Sequence, residues 1–343
     1  MHFNRLKQIL DRLPEIRILV LGDFFLDQYW SIDPKLEEVS IETGLEVHQV
    51  VEVRLSPGAA GTVTSNLAAL QVGRIETLGI VGDDGNGFEL IRGLKERGIG
   101  AESMILSRER FTPTYTKPMR RLPSGEEQEA ARLDIKNRSQ TPRELQNAVL
   151  QYLERLLPEV DGVIIVDQVQ EEDAGVITAR VREELSRLAR EYRDKTFLAD
   201  SRCRIGLFRD VMIKPNEKEA FEAAERADRE PGRLLKHLHD NNRRPIFLTQ
   251  GRQGIAVFDG REHRQFPALP APEKIDPVGA GDSTSAAIVA SLCAGAELWE
   301  AAEFGNLVAS VTIRKLGTTG TASPEEVLTA GPTNHTNHTN RSG

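Results

Sequence analysis

Cysteine is almost missing from this sequence: Cys203 and Cys293 are the two in 343 residues. Two thiols cannot staple a chain of this length, so a disulfide framework is excluded and a reducing compartment is expected. No Cys-x-x-Cys occurs, which removes zinc ribbons and thioredoxin-type motifs. Long apolar runs are missing too; the longest, about residues 285–296, is too short to cross a bilayer. Basic residues are outnumbered, 44 against 52 acidic, for a formal charge of −8. That balance argues against a nucleic-acid surface. No Gly-Lys dipeptide exists, so a P-loop is excluded, and no Gly-x-Ser-x-Gly elbow marks a serine hydrolase. Gly82-Asp-Asp-Gly85-Asn-Gly87 has the wrong spacing for a dinucleotide fingerprint and reads as a strand-to-helix turn. The N-terminal MHFNRLKQILDRLPEI mixes charges of both signs through apolar positions, as an amphipathic helix does and a secretory signal does not. A soluble, cytoplasmic protein without membrane or nucleic-acid partners is expected.

What is there is globular: 39% hydrophobic and 28% charged residues. RILVLG (17–22) reads as a strand covered on both faces. LEVHQVVEV (45–53) alternates as an exposed antiparallel strand does. Helices are predicted over 60–70, 87–97, 142–157, 172–193 and 216–226, and from Ser283 and Leu298 onward. Strands are predicted over 75–82, 162–167, 197–200, 210–215 and 245–251, with a hairpin around 256–263. This alternation predicts an α/β fold, a mostly parallel sheet covered by helices on both faces. Two irregular β regions, about 27–55 and 104–135, predict a small β-sheet lid over one edge. The last thirteen residues, 331–343, read as a disordered tail. Its sequons at Asn334, Asn337 and Asn340 read as solvated positions, since no secretory signal accompanies them.

The segment richest in chemistry is Asp276-Pro277-Val278-Gly279-Ala280-Gly281-Asp282-Ser283, ahead of an apolar helix. Two glycines flanking one alanine let the backbone approach a ligand closely. The helix start adds unpaired amide N–H groups and a positive dipole end, an anion hole for a phosphate. Asp282 at its rim is unfavourable beside a phosphate unless it accepts a proton from an attacking hydroxyl. The same spacing also fits an Asp N-cap after a glycine turn. Asn216 and Glu219, at i and i+3 of a helix start, share a face and also fit a capping box. Asp27 and Asp167 follow apolar strand patterns, where α/β sheets place ligands, and both also fit turn or strand-end positions. Arg202 and Arg204 in DSRCRIG suit a substrate phosphate or plain solvation. His237 and His239 point apart on a helix and make no metal site. Trp30 and Phe111 read as packing residues.

DPVGAGDS resembles the C-terminal signature of the PfkB/ribokinase family of sugar kinases. In the family's order come LGDFFLDQYW (21–30), SPGAAGTVTSNLAAL (56–70), IVGDDGNG (80–87), IKPNEKEA (213–220) and LTQGRQGIAVF (248–258). The resemblance covers about 15–330 and implies one kinase domain over 1–330, including the lid. It implies ATP-dependent phosphorylation of a sugar or sugar phosphate, with Asp282 as base and Gly279, Ala280 and Gly281 as the anion hole. Asp27, Gly58, Thr62 and Asp167 fall on the acceptor side. Asn216, Glu219, Thr249, Gly251, Gly254 and Asn306 fall on the nucleotide side. Glu219 is implied to hold Mg²⁺ through water, and the Asp276 loop a monovalent cation such as K⁺. A homodimer joined through the lid is also implied.

Within the family, GDxxLDxYW, ARLD (131–134) and RKLGTTGTASPEEV (314–327) resemble the D-glycero-D-manno-heptose 7-phosphate kinases. Those occur fused to a nucleotidyltransferase domain after this point; this chain stops there, so a standalone kinase is expected. Three departures fall on the acceptor side. Ala59 replaces the second glycine of a Gly-Gly turn, Thr62 replaces Asn, and Met119 stands where Thr-Lys-x-Arg has Arg. A kinase for another sugar or a nucleoside, or a binding protein without turnover, therefore stays open.

Overall fold

The computed structural model describes residues 1–224, 230–317 and 319–332. Two strands set the architecture. Arg17–Gly22 and Gly162–Asp167 lie side by side and parallel, and nearly every residue in them is buried. Side chains alternate across a strand. Ile18, Val20, Ile164 and Val166 accordingly join one core, while Leu19, Leu21, Val163 and Ile165 join the other. The first core is closed by helices Ala60–Ala69, Ala280–Cys293 and Leu298–Thr312. The second is closed by Arg143–Leu156, Ala179–Glu191 and Pro231–Asn242. The result is the doubly covered sheet that the strand patterns predict.

That sheet has eight strands, in the order 263–266, 255–258, 246–249, 212–213, 196–201, 162–167, 17–22 and 74–78. All neighbours are parallel except the last two pairings at the 263–266 edge, which form the expected hairpin. The lid grows directly out of the core. One residue after Gly22 the chain enters Phe24–Ile32, which pairs antiparallel with Val50–Ala59 and parallel with Thr114–Arg121. Glu127–Glu129 and Leu133–Ile135 complete this sheet.

Several predicted boundaries move, each for a local reason. The 75–82 strand divides at Gly79: Arg74–Leu78 stays in the main sheet and Ile80–Gly82 pairs with Ile105–Ser107. A Cβ at Gly79 would press on Phe24 and the Gly22 carbonyl, so the chain turns there through glycine. The 172–193 helix begins only at Ala179, because Thr178 caps it and Asp23 holds the preceding loop through the Val176 N–H. The 210–215 strand shrinks to Met212–Ile213 between Asp210, at φ 61°, and Pro215. Residues 33–49 leave the lid sheet, and within them Glu38–Val39 and Glu46–Val47 form a separate two-stranded pair. Phe111, read as a packing residue, is 63% exposed. The tail prediction and its sequons fall, from residue 333 on, outside the described residues.

Candidate active site

The helix predicted from Ser283 starts three residues earlier. Gly279 takes the left-handed conformation, φ 78°, as the N-cap of Ala280–Cys293. Asp282 therefore sits inside the first turn and is not the N-cap. Its side chain makes no hydrogen bond or ion pair among the described residues, although it is half-buried. A carboxylate placed in a first helical turn and left without a partner is available to something else. Burial pushes its pKa up to about 7, Asp200 adds to the rise, and Lys214 and Arg202 pull against it.

The nucleotide-side residues converge. A cavity of about 550 Å³ is lined by Thr249, Gly251, Gly254, Asn306, Pro277, Ala280 and Gly281, among others. Two of these glycines have positive φ, 53° at Gly251 and 89° at Gly254, and a Cβ on Gly254 would strike the Phe266 carbonyl. Asn306 donates to that same carbonyl at 2.8 Å, fixing one wall. Asn216 reaches this group through a parallel bridge to Thr249.

Asn216 and Glu219 form the capping box, each side chain meeting the other's backbone N–H at 2.9 Å. This bond engages Oε2 of Glu219 and no described group bonds Oε1. Burial, then Asp200, holds Glu219 near a pKa of about 7. Asp200, Glu219 and Asp282 thus crowd negative charge around Lys214, which pairs with Asp200 at 3.0 Å. Asp200, in DSRCRIG, and Lys214, in IKPNEKEA, receive no role from the sequence. Asp200 ends a parallel strand, Thr196–Ser201, and Lys214 precedes Pro215-Asn216; those placements were the available signals.

On the acceptor side, Asp27 and Gly58 are in contact: any Cβ at Gly58 would collide with the Asp27 carboxylate. Burial raises the Asp27 pKa, and Lys117 and Arg132 oppose it. Thr62 lies beside the anion-hole turn, since a Cβ at Gly279 would sit 3.3 Å from its methyl. It lines a small polar cavity of about 180 Å³ with Ser56, Ser65 and Arg97. Asp167 is placed differently from the expectation. It is 1% exposed, and its oxygens take Arg204 at 3.0 Å and Ser201 at 2.6 Å. Arg204 is committed to it and to the Val169 carbonyl. Arg202 is exposed; its backbone N–H donates to the Asp167 carbonyl at 3.0 Å, and its side chain has no hydrogen-bond or ion-pair partner among the described residues. Asp276 ties two loops together, accepting from Val278 at 3.1 Å and Gly317 at 3.2 Å. His239 packs edge-on against Phe258, away from His237.

The pattern of the pfkB family carbohydrate kinase matches residues 25–326. The chain belongs to the pfkB family of carbohydrate kinases. It is accordingly a phosphotransferase whose acceptor is a sugar hydroxyl. Its relatives include the bifunctional protein HldE of Nitratiruptor sp., 31% identical over 91% of this chain. That of Citrifermentans bemidjiense is 28% identical over 96% of it. The chain spans 64% and 66% of the length of these two proteins. The fold of this pfkB kinase is ribokinase-like. Arabidopsis thaliana ribokinase, solved with ribose and ATP, superposes with a TM-score of 0.67 at 16% identity, covering 92% of this chain and 98% of its own. Escherichia coli phosphofructokinase-2, solved with potassium, gives 0.68 at 17% identity, covering 92% and 98%. Among the described residues, no helix is long and apolar enough to cross a membrane.

Proposed function

We propose that this chain transfers the γ-phosphoryl group of ATP to a hydroxyl of a sugar phosphate, with D-glycero-D-manno-heptose 7-phosphate as the acceptor and its anomeric hydroxyl as the nucleophile. The observation that carries the reaction type is Asp282: half-buried, its side chain without a partner among the described residues, and inside the first turn of a helix whose start borders a 550 Å³ cavity. In this reading the nucleotide lies in that cavity, and the amides of Gly279 and Gly281 meet the charge developing on the transferred group, while the Ala280 N–H donates to the Pro277 carbonyl and holds the turn. Asp282 takes the proton of the attacking hydroxyl. Asp27, braced on Gly58, orients the sugar through its hydroxyls. Support for a phosphorylated acceptor comes from Lys117, Arg132 and the unpartnered Arg202 side chain, and from the HldE relatives.

Carboxylate oxygens and crowded negative charge suit Mg²⁺, with Glu219 holding it through water; its chemistry when bound is to neutralise nucleotide phosphate charge. A monovalent cation beside the Asp276 loop is part of the same reading, supported by the potassium complex of phosphofructokinase-2. The lid leaves Val53, Leu133 and Val39 at least half exposed, which supports pairing of two lids in a cytoplasmic homodimer.

A second reading, a kinase for another acceptor, is favoured by Ala59. It holds φ 52°, ψ −116°, a conformation glycine enters freely and alanine does not. An ADP-release assay over a panel of sugars and sugar phosphates decides between them. Preferred turnover of heptose 7-phosphate supports the first reading; preferred turnover of an unphosphorylated sugar overturns it. ATP binding without turnover of any acceptor points to a silent binding protein.

A further inference from the structure

Lys214 is 3% exposed, the one lysine that is buried among the described residues. Its backbone N–H joins the sheet at the Ala199 carbonyl, 3.0 Å, and its ammonium meets Asp200 Oδ2 at 3.0 Å. The same Asp200 oxygen accepts from Ser285 at 2.9 Å, and Ser285 also donates to the Gly281 carbonyl at 3.1 Å. From the other direction, a Cβ at Gly281 would lie 3.6 Å from the Lys214 ammonium. The lysine is therefore wedged between Asp200 and the turn that precedes Asp282.

We propose that Lys214 is a positioning residue for phosphoryl transfer, supplying the fixed positive charge that lets Asp282 stand ionised beside an anionic phosphate. The inference rests on Asp282 acting as the base. A buried ammonium costs desolvation energy and is kept where its charge is used. Burial works against the charge of Lys214, and Asp200, Glu219 and Asp282 more than offset it. The charged groups acting on Asp282 are Asp200 from the neighbouring strand, Lys214, Arg202 from the loop beyond, and Asp27 from the lid. Asp200 and Asp27 favour its proton; Lys214 and Arg202 disfavour it. Lys214 differs from Arg202 in being fixed and shielded from solvent, so salt and substrate do not screen it.

The test is the pH profile of kcat/KM for the acceptor in Lys214→Met, Lys214→Arg and Asp200→Asn. The expected result is opposite displacement: the acid limb moves to higher pH in Lys214→Met and to lower pH in Asp200→Asn. Lys214→Arg keeps it near the wild-type position. At pH 6.5, Lys214→Met loses about tenfold beyond any loss at pH 9. If Lys214 merely shields Asp200, both variants melt earlier and neither limb moves, which overturns the proposal. Should Lys214→Met fail to fold, Asp200→Asn still decides the sign. Full turnover in Asp282→Asn would instead remove the underlying function reading, a distinguishable failure.

Discussion

The two ends of the cleft are built by different means. The proposed nucleotide end uses backbone: a left-handed Gly279, the positive-φ Gly251 and Gly254, and a helix start where no described group accepts from the Gly281 and Asp282 amides. Its charges lie beneath that backbone, in Asp200, Lys214, Glu219 and Asp282. The acceptor end uses side chains on a thin lid, much of whose surface is exposed. Backbone geometry admits few substitutions, because a Cβ collides or a φ is forbidden. Side chains on an exposed sheet can change at little cost to stability. Of the departures from the family pattern, Ala59 and Met119 lie on lid strands, whereas Thr62 is buried in the core helix Ala60–Ala69 beside the Gly279 turn.

The sharpest way to break the contrast is Asp282→Asn. In the proposed mechanism kcat falls by at least about 10²-fold, measured by ADP release at saturating substrates. Stability moves the other way. A carboxyl whose folded pKa is about 7 binds its proton more tightly when folded. The stability this confers is complete below the ordinary carboxylate range and lost as pH rises through 7. At pH 8 the variant should therefore melt no lower than wild type; a lower melting point there would mean that Asp282 is structural.

Gly58→Ala probes the other end. The added methyl pushes aside the Asp27 carboxylate. The acceptor KM should rise about tenfold or more while the KM for ATP stays near wild type. Equal change in both would erase the division between the ends. A smaller effect is read from pH. In the unmodified protein the acid limb of kcat/KM should lie near 7 and not near 4, following Asp282. A flat profile between pH 5 and 8 would remove Asp282 as the titrating base. Ala59→Gly should have the least effect, a gain of about 1 kcal/mol in urea unfolding as the strained φ is relieved. Destabilisation would show that the alanine methyl is packed usefully on the lid.

Most of the candidate residues were legible in the chain alone. Asp282, the glycine turn, Asn216 and Glu219, Thr249, Gly251 and Gly254 are local motifs; Thr249, Gly251, Gly254, Ala280 and Gly281 line one cavity, and Asn216 is bridged to Thr249. Asp27 and Gly58 lie 31 positions apart in sequence and meet because two lid strands pair. The pairing of Asp167 with the half-buried Arg204 was not legible, since a strand-end carboxylate looks the same in sequence whether it faces solvent or an arginine. Asp200 and Lys214 stand in the quoted DSRCRIG and IKPNEKEA segments, but nothing in either spacing shows that the two side chains meet.

What the sequence by itself determined was the order of strands and helices and the short-range devices: apolar runs for the covered sheet, glycines for turns, a capping box, a phosphate-sized helix start. Those depend on neighbours within a few residues. Only the tertiary structure decided which charges face one another. Lys214 meets Asp200 because their strands are adjacent and parallel, and both lie under Gly281 because Ala280–Cys293 packs across that part of the sheet. Electrostatic interaction depends on distance through space and on burial, and neither is a property of sequence separation.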